Sequence, residues 1–478
     1  MKFVVSDTIP GDRKFGKWNY SHDNDVRTWT DGERLCLWFG YTIDKQIEEY
    51  ISNDTDDLAD ANGNFCVIVL RKDHLKVCLD YFGQTKIYYN TQNGLSVSNQ
   101  LSLLSLTKAG INKESVDGFM EGLGDDVPLY ACKDPMNMRY LLEWNKWSHD
   151  NTLFRQTFSV PLDHWLTHTG GVTEIKKMYN LRAQNLKSFK NQKRMSNNEL
   201  EDTIHGCMLT HSDIIKNQYK NILSSISEGI DSTLQDQYFE NGTRIMYHPK
   251  EPNTEKEIPP KNDIIKQYNS KGKNVRFDVF DVNSIGAIVD EYLIDPMLSW
   301  MDTVPTIWQV NSQKQKPDVL LYGTCADEMF MHVPKFLFAR IPPPHRYRYQ
   351  DTYGGRKSPA RASEDPYNGH MLQDWQEEFA TMAKPNRYGR DIQSQTDVLT
   401  TSLYADRRIF NLVHKLSFDQ QLDSMANVGI QKRILQDKFH FDFQTKYKDG
   451  AGYECRMVLK HLLTVVLDKV VDSKPNQC

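Results

Sequence analysis

The sequence predicts an α/β protein with a β-rich N-terminal domain and a C-terminal domain built on a parallel sheet. Its 478 residues suggest two or three domains at about 150 residues each. The first ~105 residues contain short β-branched and aromatic runs between turn signals. From about residue 198, strand-like and helix-like segments alternate, which favours a parallel sheet. A polar stretch at 183–198, rich in lysine and asparagine, indicates a linker between the two patterns.

The N-terminal domain is expected to be mainly antiparallel. Segment 64–70 is rich in β-branched residues, and the alternating segment 75–80 fits as its hairpin partner. Asn93-Gly94 is a strong hairpin-turn signal between two further strand candidates. The complete set of strand candidates is 34–39, 64–70, 75–80, 87–89 and 95–98.

The C-terminal domain is expected to begin with a helix from Asn198 to about Lys220, capped by Ser196 or Asn197. Strand candidates follow at 222–226, 244–247, 275–280 and 318–322, with helical stretches between them such as 285–298. Segment 341–365 is rich in proline, glycine and arginine and predicts a loop. The tail beyond about residue 370 is expected to be rich in helix.

Composition excludes several classes of protein. The 58 lysines and arginines against 63 aspartates and glutamates give a net charge of −5, which provides no global reason to expect nucleic-acid binding. No window approaches ~18 consecutive apolar residues, so no membrane span is expected, and the N-terminus lacks the features of a signal peptide. The eight cysteines form no CxxC pair, which argues against a zinc site or a disulfide framework and fits a reducing cytoplasm.

The most informative segment follows the strand candidate at 222–226. There the chain enters a serine- and glycine-containing turn, and a helix should begin near Asp231. Backbone N–H groups at a helix N-terminus favour anions, and Ser227 and Ser232 add hydroxyl donors. Asp231 fits beside phosphates if a magnesium ion lies between them. In the alternative interpretation, the segment is an ordinary turn and Asp231 is a helix cap.

A second loop with the same character follows the strand candidate at 318–322. Small residues lead to the acidic pair Asp327 and Glu328. In a parallel sheet both loops lie at the carboxyl edge, where ligands bind. Asp327 could therefore supply a second carboxylate to the same magnesium ion. Alternatively, the acidic pair only compensates a helix dipole.

These segments resemble motifs of the asparagine synthetase family, in the same order and over most of the chain. Segment 227–232 resembles the SGGxDS pyrophosphate loop, 323–328 the SGxGxDE loop, 403–406 the PFLD segment, 432–435 the K-x-I/L-L helix, and 445–453 the lysine-bearing loop that ends in DGxGY. In the N-terminal part, 62–65 and 80–89 resemble the GxFA and RDxxGxxPLYY segments of the glutaminase domain.

The resemblance implies a fold for each domain. Residues 1–182 would form a shortened and inactive glutaminase-like domain, a degenerate Ntn-type β-rich sandwich. Residues 199–478 would form a PP-loop ATP-binding domain, an adenine-nucleotide α-hydrolase-like parallel α/β unit with a helical tail.

The resemblance also implies an ATP-dependent, AMP-forming amide ligase. A substrate carboxylate would be activated as an acyl-adenylate with release of pyrophosphate, and ammonia or an amine would then attack. ATP and Mg²⁺ are the implied cofactors, and the partner is a small-molecule carboxylate. Homo-oligomerisation is left open.

By the same resemblance, each motif residue receives a role. Asp231 and Asp327 would hold magnesium, Ser227, Gly229, Ser232 and Gly323 would cradle the phosphates, Lys432 would help there, and Lys446 would be the catalytic lysine. The alternatives are that Lys432 is a surface charge on a helix and that Lys446 is a solvated charge on a loop.

The sequence departs from the family pattern at three places. The family's glutaminase needs a cysteine directly after the initiator methionine, but Lys2 stands there and the earliest cysteine, Cys36, lies in a strand candidate. Glutamine hydrolysis is therefore expected to be absent, as in β-lactam synthetase-like members. Glu228 replaces the first loop glycine and should repel pyrophosphate unless a cation compensates. Thr324 occupies the place of the catalytic Glu, or of Tyr in the β-lactam synthetase branch, and can only hydrogen-bond.

Two other hypotheses stay open. The chain could be a catalytically degenerate relative that keeps the fold as a binding or regulatory module, which Glu228 and Thr324 favour. In addition, arginines and tyrosines alternate in the basic loop 346–361, which could contact a nucleic acid. The simpler interpretation of that loop is a solvated insertion.

Overall fold

The protein is a mixed α/β structure with antiparallel sheets in its N-terminal part and a parallel sheet with helices in its C-terminal part. The computed structural model describes residues 1–104, 152, 154–161, 164–178, 195–227, 229–249, 264–280, 303–330, 387–413, 416, 420, 423–424 and 429–443. Sequence predictions for the helix at 285–298 and for the loop at 341–365 lie outside these residues.

Among its described residues, the N-terminal part contains twelve strands and one short helix, α1 (Ile47–Ser52). The strands are β1 (Phe3–Ser6), β2 (Arg13–Phe15), β3 (Trp18–His22), β4 (Arg27–Thr30), β5 (Leu35–Thr42), β6 (Gly63–Leu70), β7 (His74–Leu79), β8 (Tyr88–Asn90), β9 (Ser96–Ser98), β10 (Thr157–Ser159), β11 (His164–Thr169) and β12 (Val172–Lys177). They form two six-stranded sheets, in the orders β10-β8-β9-β1-β3-β2 and β12-β11-β7-β6-β5-β4. Two 3-10 turns, Thr55–Ala59 and Leu101–Leu104, lie between the strands.

The predicted antiparallel pairings are confirmed. Strands β6 and β7 form a hairpin in which Ile68 is opposite Val77, and every residue of β6 is buried, which explains its continuous apolar run. Strands β8 and β9 also pair antiparallel. Gly94, in the predicted turn, has a φ of +99°, a conformation that glycine adopts without steric penalty.

The predicted helix after the linker is α2 (Asn197–Gln218). Ser196 is its N-cap: the hydroxyl accepts a hydrogen bond from the backbone N–H of Glu199, and the Glu199 carboxylate accepts one from the backbone N–H of Ser196. This reciprocal capping box fixes the start of the helix. The helix therefore begins inside the stretch predicted as linker, most of which lies outside the described residues.

In the part of the chain that the structure describes, the parallel sheet has five strands: β13 (Ile222–Ser225), β14 (Thr243–Pro249), β15 (Val275–Phe280), β16 (Val319–Leu321) and β17 (Leu399–Thr401). They lie in the order β15-β14-β13-β16-β17, and each neighbouring pair is parallel. The parallel sheet and four of its strands are thus confirmed predictions. The sequence pattern does not predict β17, which lies in the tail expected to be rich in helix.

Helices connect and cover these strands. After α2 they are α3 (Ile230–Gln237), α4 (Ile264–Ser270), α5 (Thr303–Asn311), α6 (Ala326–Met329), α7 (Arg387–Thr396), α8 (Arg407–Val413) and α9 (Gly429–Phe439). The last three agree with the prediction of a tail rich in helix. None of the helices in the described part of the chain combines the length and apolar character needed to cross a membrane.

The two parts meet along β17 and α7 through buried polar contacts. Asn64 Nδ2 donates to the carbonyl of Thr400 at 2.9 Å. The Lys86 ammonium forms an ion pair with Asp391 at 3.0 Å, and both side chains are buried. A buried ion pair that loses one partner leaves a costly unpaired charge, so this contact fixes one mutual arrangement of the two parts.

Candidate functional site

The two loops singled out in the sequence leave neighbouring strands at the same edge of the parallel sheet. Strands β13 and β16 pair directly, with Ser224 beside Leu321. A Cβ atom on Gly323 would stand 3.0 Å from the backbone nitrogen of Ser232 and 3.3 Å from its Cα. The loops are therefore in contact, and a residue without a side chain fits best at Gly323.

A small network of hydroxyl and backbone groups forms the first loop. The hydroxyls of Ser227 and Ser232 are 2.9 Å apart, and the backbone N–H of Ser227 also donates to the Ser232 hydroxyl. The N–H of Gly229 donates to the Ser227 hydroxyl at 3.1 Å. Helix α3 begins directly afterwards, which confirms the predicted helix start. Its N-cap is Gly229, so the alternative interpretation of Asp231 as the cap is wrong.

Asp231 lies in the first turn of α3, where two distant residues contact it. The side-chain amide of Gln431 donates to Oδ1 of Asp231 at 2.6 Å. The hydroxyl of Tyr404 donates to the backbone carbonyl of Asp231 at 2.9 Å. The conformation of Asp231 is therefore set by helix α9 and by the segment after β17, as well as by its own loop.

The second loop turns sharply after β16. The N–H of Thr324 donates to the carbonyl of Tyr322 at 2.8 Å, and Cys325 follows in the left-handed region with a φ of +70°. The carbonyl of Thr324 accepts a hydrogen bond from Ser402 at 2.6 Å. Thr324 is half-buried, and this turn brings its backbone to the segment that follows β17.

Asp327 lies in the short helix α6, directly after this turn, at the edge of the sheet to which the first loop also belongs. The Asp327 and Glu328 side chains are outside the described part of the structure, as are Glu228, Lys446 and the loop 346–361. The predicted pairing of Asp231 with Asp327 therefore stays a prediction.

A third segment reaches the same place from β17. The N–H of Leu403 donates to Oε1 of Gln235, in α3, at 2.7 Å, and Tyr404 contacts Asp231 as described above. In the sequence, segment 403–406 is distinguished only by its motif resemblance. The structure brings it against helix α3, directly after the first loop.

Lys432 lies on α9, next to Gln431, and is half-buried. Partial burial lowers the pKa of its ammonium group, and the nearby Asp423 acts in the opposite direction. Its neighbour Arg433 forms ion pairs with Glu201 of α2 and with Asp423. The pair with Glu201 holds α9 against α2 and so fixes the part of the helix that carries Gln431 and Lys432.

Cys36, the first cysteine of the sequence, is expected to lie in the core of a strand. This residue lies in β5 and is fully buried. Burial raises the pKa of its thiol to about 11, so the reactive thiolate is scarce at neutral pH. Cys36 therefore belongs to the core, as expected.

Two cavities on the N-terminal sheets, of about 800 and 280 Å³, are lined by Arg71 and other N-terminal residues and include none of the predicted site residues. Among the described residues, no group of three or more histidine, cysteine, aspartate or glutamate side chains is arranged to hold a metal ion. Magnesium needs no such group, because one or two carboxylates together with phosphate oxygens suffice to bind it.

Comparison with known proteins gives little further guidance. No protein-family model matches the chain, and no curated protein matches it significantly. Several solved structures match; one of them, described as the allosteric regulatory enzyme of purine biosynthesis, matches over 60% of this chain and 71% of that chain, with 9% sequence identity and a TM-score of 0.21. At these values the match establishes neither a family nor a shared fold.

Proposed function

We propose that the protein is an ATP-dependent, AMP-forming amide ligase that does not hydrolyse glutamine. It would adenylate a substrate carboxylate and transfer the acyl group to ammonia or an amine. The observation that supports this most is the contact of Gly323 with the Ser232 backbone. Because of that contact, the two loops form one continuous surface at the carboxyl edge of β13 and β16, the place where open α/β sheets bind ligands.

The chemistry of this edge suits a magnesium–triphosphate group. The α3 N-terminus and the hydroxyls of Ser227 and Ser232 favour an anion, whereas the carboxylate of Asp231 would repel a phosphate unless a cation lies between them. Asp231 and Asp327 would hold that cation. When bound, magnesium supplies positive charge that stabilises the departing pyrophosphate.

The reaction needs two substitutions. An oxygen of the substrate carboxylate attacks the α-phosphorus of ATP, the bond to the bridging oxygen breaks, and pyrophosphate leaves. The amine then attacks the acyl carbon, loses one proton, and AMP leaves with the former carboxylate oxygen. In this scheme Ser227, Gly229 and Ser232 hold the pyrophosphate oxygens, and Lys432 and Lys446 add positive charge at the phosphates and the intermediate.

Thr324 would bind the amine or the carboxylate by a hydrogen bond. A threonine hydroxyl has no useful basicity near neutral pH, so the proton of the amine passes to solvent or to a group other than Thr324. The rate of amide formation should therefore rise as the pH approaches the pKa of the amine. A strongly basic amine would be a poor substrate at neutral pH.

The finer fold assignments belong to the same proposal. The two antiparallel sheets would be a degenerate Ntn-type sandwich, and the parallel sheet would be adenine-nucleotide α-hydrolase-like. In this proposal Cys36, buried in β5, is a core residue and not a nucleophile. A cytoplasmic location fits both the use of ATP and the buried free thiols.

A second candidate function is nucleotide binding without catalysis. Thr324 favours it, because the turn holds this residue at the shared edge although it has no acid–base role there. Such a protein would bind ATP with magnesium but release no pyrophosphate.

The test is to incubate the purified full-length chain with ATP, Mg²⁺ and a panel of carboxylates, with hydroxylamine as the amine. Release of pyrophosphate and AMP together with a hydroxamate supports the ligase. Asp231→Asn should weaken magnesium-dependent ATP binding at least tenfold, whereas Asp213→Asn, at an exposed position on α2, should not. Binding without pyrophosphate release supports the second candidate, and no ATP binding at millimolar Mg²⁺ rejects both.

A further inference from the structure

We propose that Gln431 is a positioning residue that holds Asp231 in the orientation needed to bind magnesium–ATP, and that this role costs the protein folding stability. The inference depends on the proposed function, because that function makes Asp231 a metal ligand. It adds a residue that acts through Asp231 and does not itself contact the substrate.

The first argument is geometric. Gln431 is fully buried on α9, and its Nε2 lies 2.6 Å from Oδ1 of Asp231 and 3.5 Å from the hydroxyl of Tyr404. Tyr404 in turn donates to the backbone carbonyl of Asp231. One amide and one phenol thus fix both the carboxylate and the backbone of Asp231. Hydrogen bonds to metal-binding carboxylates commonly set their orientation in this way.

The second argument concerns the carbonyl oxygen of the Gln431 side chain. Among the described residues, Oε1 of Gln431 is buried and has no hydrogen-bond partner. Reversing the amide would not help, because it would bring Oε1 against an oxygen of Asp231, and two acceptors repel each other. A buried carbonyl oxygen without a partner is destabilising. A local loss of folding stability of this kind is characteristic of functional sites.

The third argument concerns rigidity. Arg433, two residues along α9, is paired with Glu201 of α2 and with Asp423. Helix α9 therefore presents Gln431 from a fixed position, and a rigid support is needed for a residue that acts by orienting another.

The decisive substitution is Gln431→Met, which keeps the length of the side chain and removes both polar atoms. It should weaken magnesium-dependent ATP binding about 10- to 100-fold and leave the melting temperature unchanged or higher. Gln436→Met, the same change at an exposed position of α9, should alter neither. In an Asp231→Asn background, Gln431→Met should have no further effect on binding, because its action passes through Asp231.

Each other outcome has a definite meaning. If Gln431→Met binds magnesium–ATP as tightly as the wild type, the inference is wrong and the proposed function is unaffected. The same conclusion follows if Gln431→Met lowers the affinity equally in the wild-type and Asp231→Asn backgrounds. Loss of binding together with a lower melting temperature shows that Gln431 is merely structural. A wild-type protein that does not bind magnesium–ATP overturns the proposed function, and the inference with it.

Discussion

Replacing Gly323 by alanine tests whether the two loops are in contact. The new Cβ would stand 3.0 Å from the Ser232 nitrogen, so α3 must shift by a few tenths of an ångström. Overpacking of this kind costs about 1–3 kcal/mol, and the stiffer unfolded chain offsets about 0.4–1 kcal/mol. We expect a net loss of about 1 kcal/mol in the free energy of unfolding, measured by urea titration.

Magnesium-dependent ATP binding should weaken several-fold in the same variant, because the shift displaces Ser232 and Asp231 together. Gly206→Ala is the matched control: a Cβ there meets nothing within 4 Å, and alanine within a helix should stabilise by about 0.5–1 kcal/mol without changing binding. Unchanged stability and unchanged binding in Gly323→Ala would refute the argument that the loops form one surface.

Two further predictions test the surroundings of the site. Arg244→Met should lower the free energy of unfolding by about 3–5 kcal/mol, because the Asp236 carboxylate 2.7 Å away is completely buried. Arg276→Met, which breaks an ion pair whose arginine is exposed, should cost less than about 1 kcal/mol. Burial raises the pKa of Asp80 to about 7, so its contribution to stability falls as the pH rises from about 4 to 7. Burial lowers the pKa of His211 to about 4. Its contribution to stability is therefore present above pH 6.5 and is lost as the pH falls from 6.5 to 4. Between pH 5 and 6.5, the free energy of unfolding of His211→Gln should therefore fall by up to about 1.4 kcal/mol per pH unit more than that of the wild type. Equal pH dependence of the free energy of unfolding in the two proteins would contradict the lowered pKa of His211.

The elements that could be predicted from the sequence have local signals. The spacing of Ser196 and Glu199 alone predicts the start of α2, and Asn93-Gly94 predicts the turn between β8 and β9. Strand β17 has no such signal, because Leu399, Thr400 and Thr401 show neither a periodic pattern nor an apolar run. They form a strand because β16 offers an unpaired parallel edge, which is a property of the assembled sheet.

The same distinction holds for the site. The meeting of Ser227, Ser232 and Gly323 was predictable, because the loops after parallel strands share one edge of the sheet. The role of Gln431 was not, since 200 residues separate it from Asp231 and glutamine in a helix carries no functional signal of its own. Only the packing of α9 against α3 brings the two side chains together.

The N-terminal part can contribute to this site without any catalytic group. The side chain of Asn62 contacts both Oδ1 of Asp406 at 2.8 Å and the backbone N–H of Arg407 at 3.0 Å, and the hydroxyl of Tyr41 lies 2.8 Å from that of Thr401. These buried contacts lie on both sides of Tyr404, the residue that reaches Asp231. The antiparallel part therefore helps to fix the segment through which Asp231 is held.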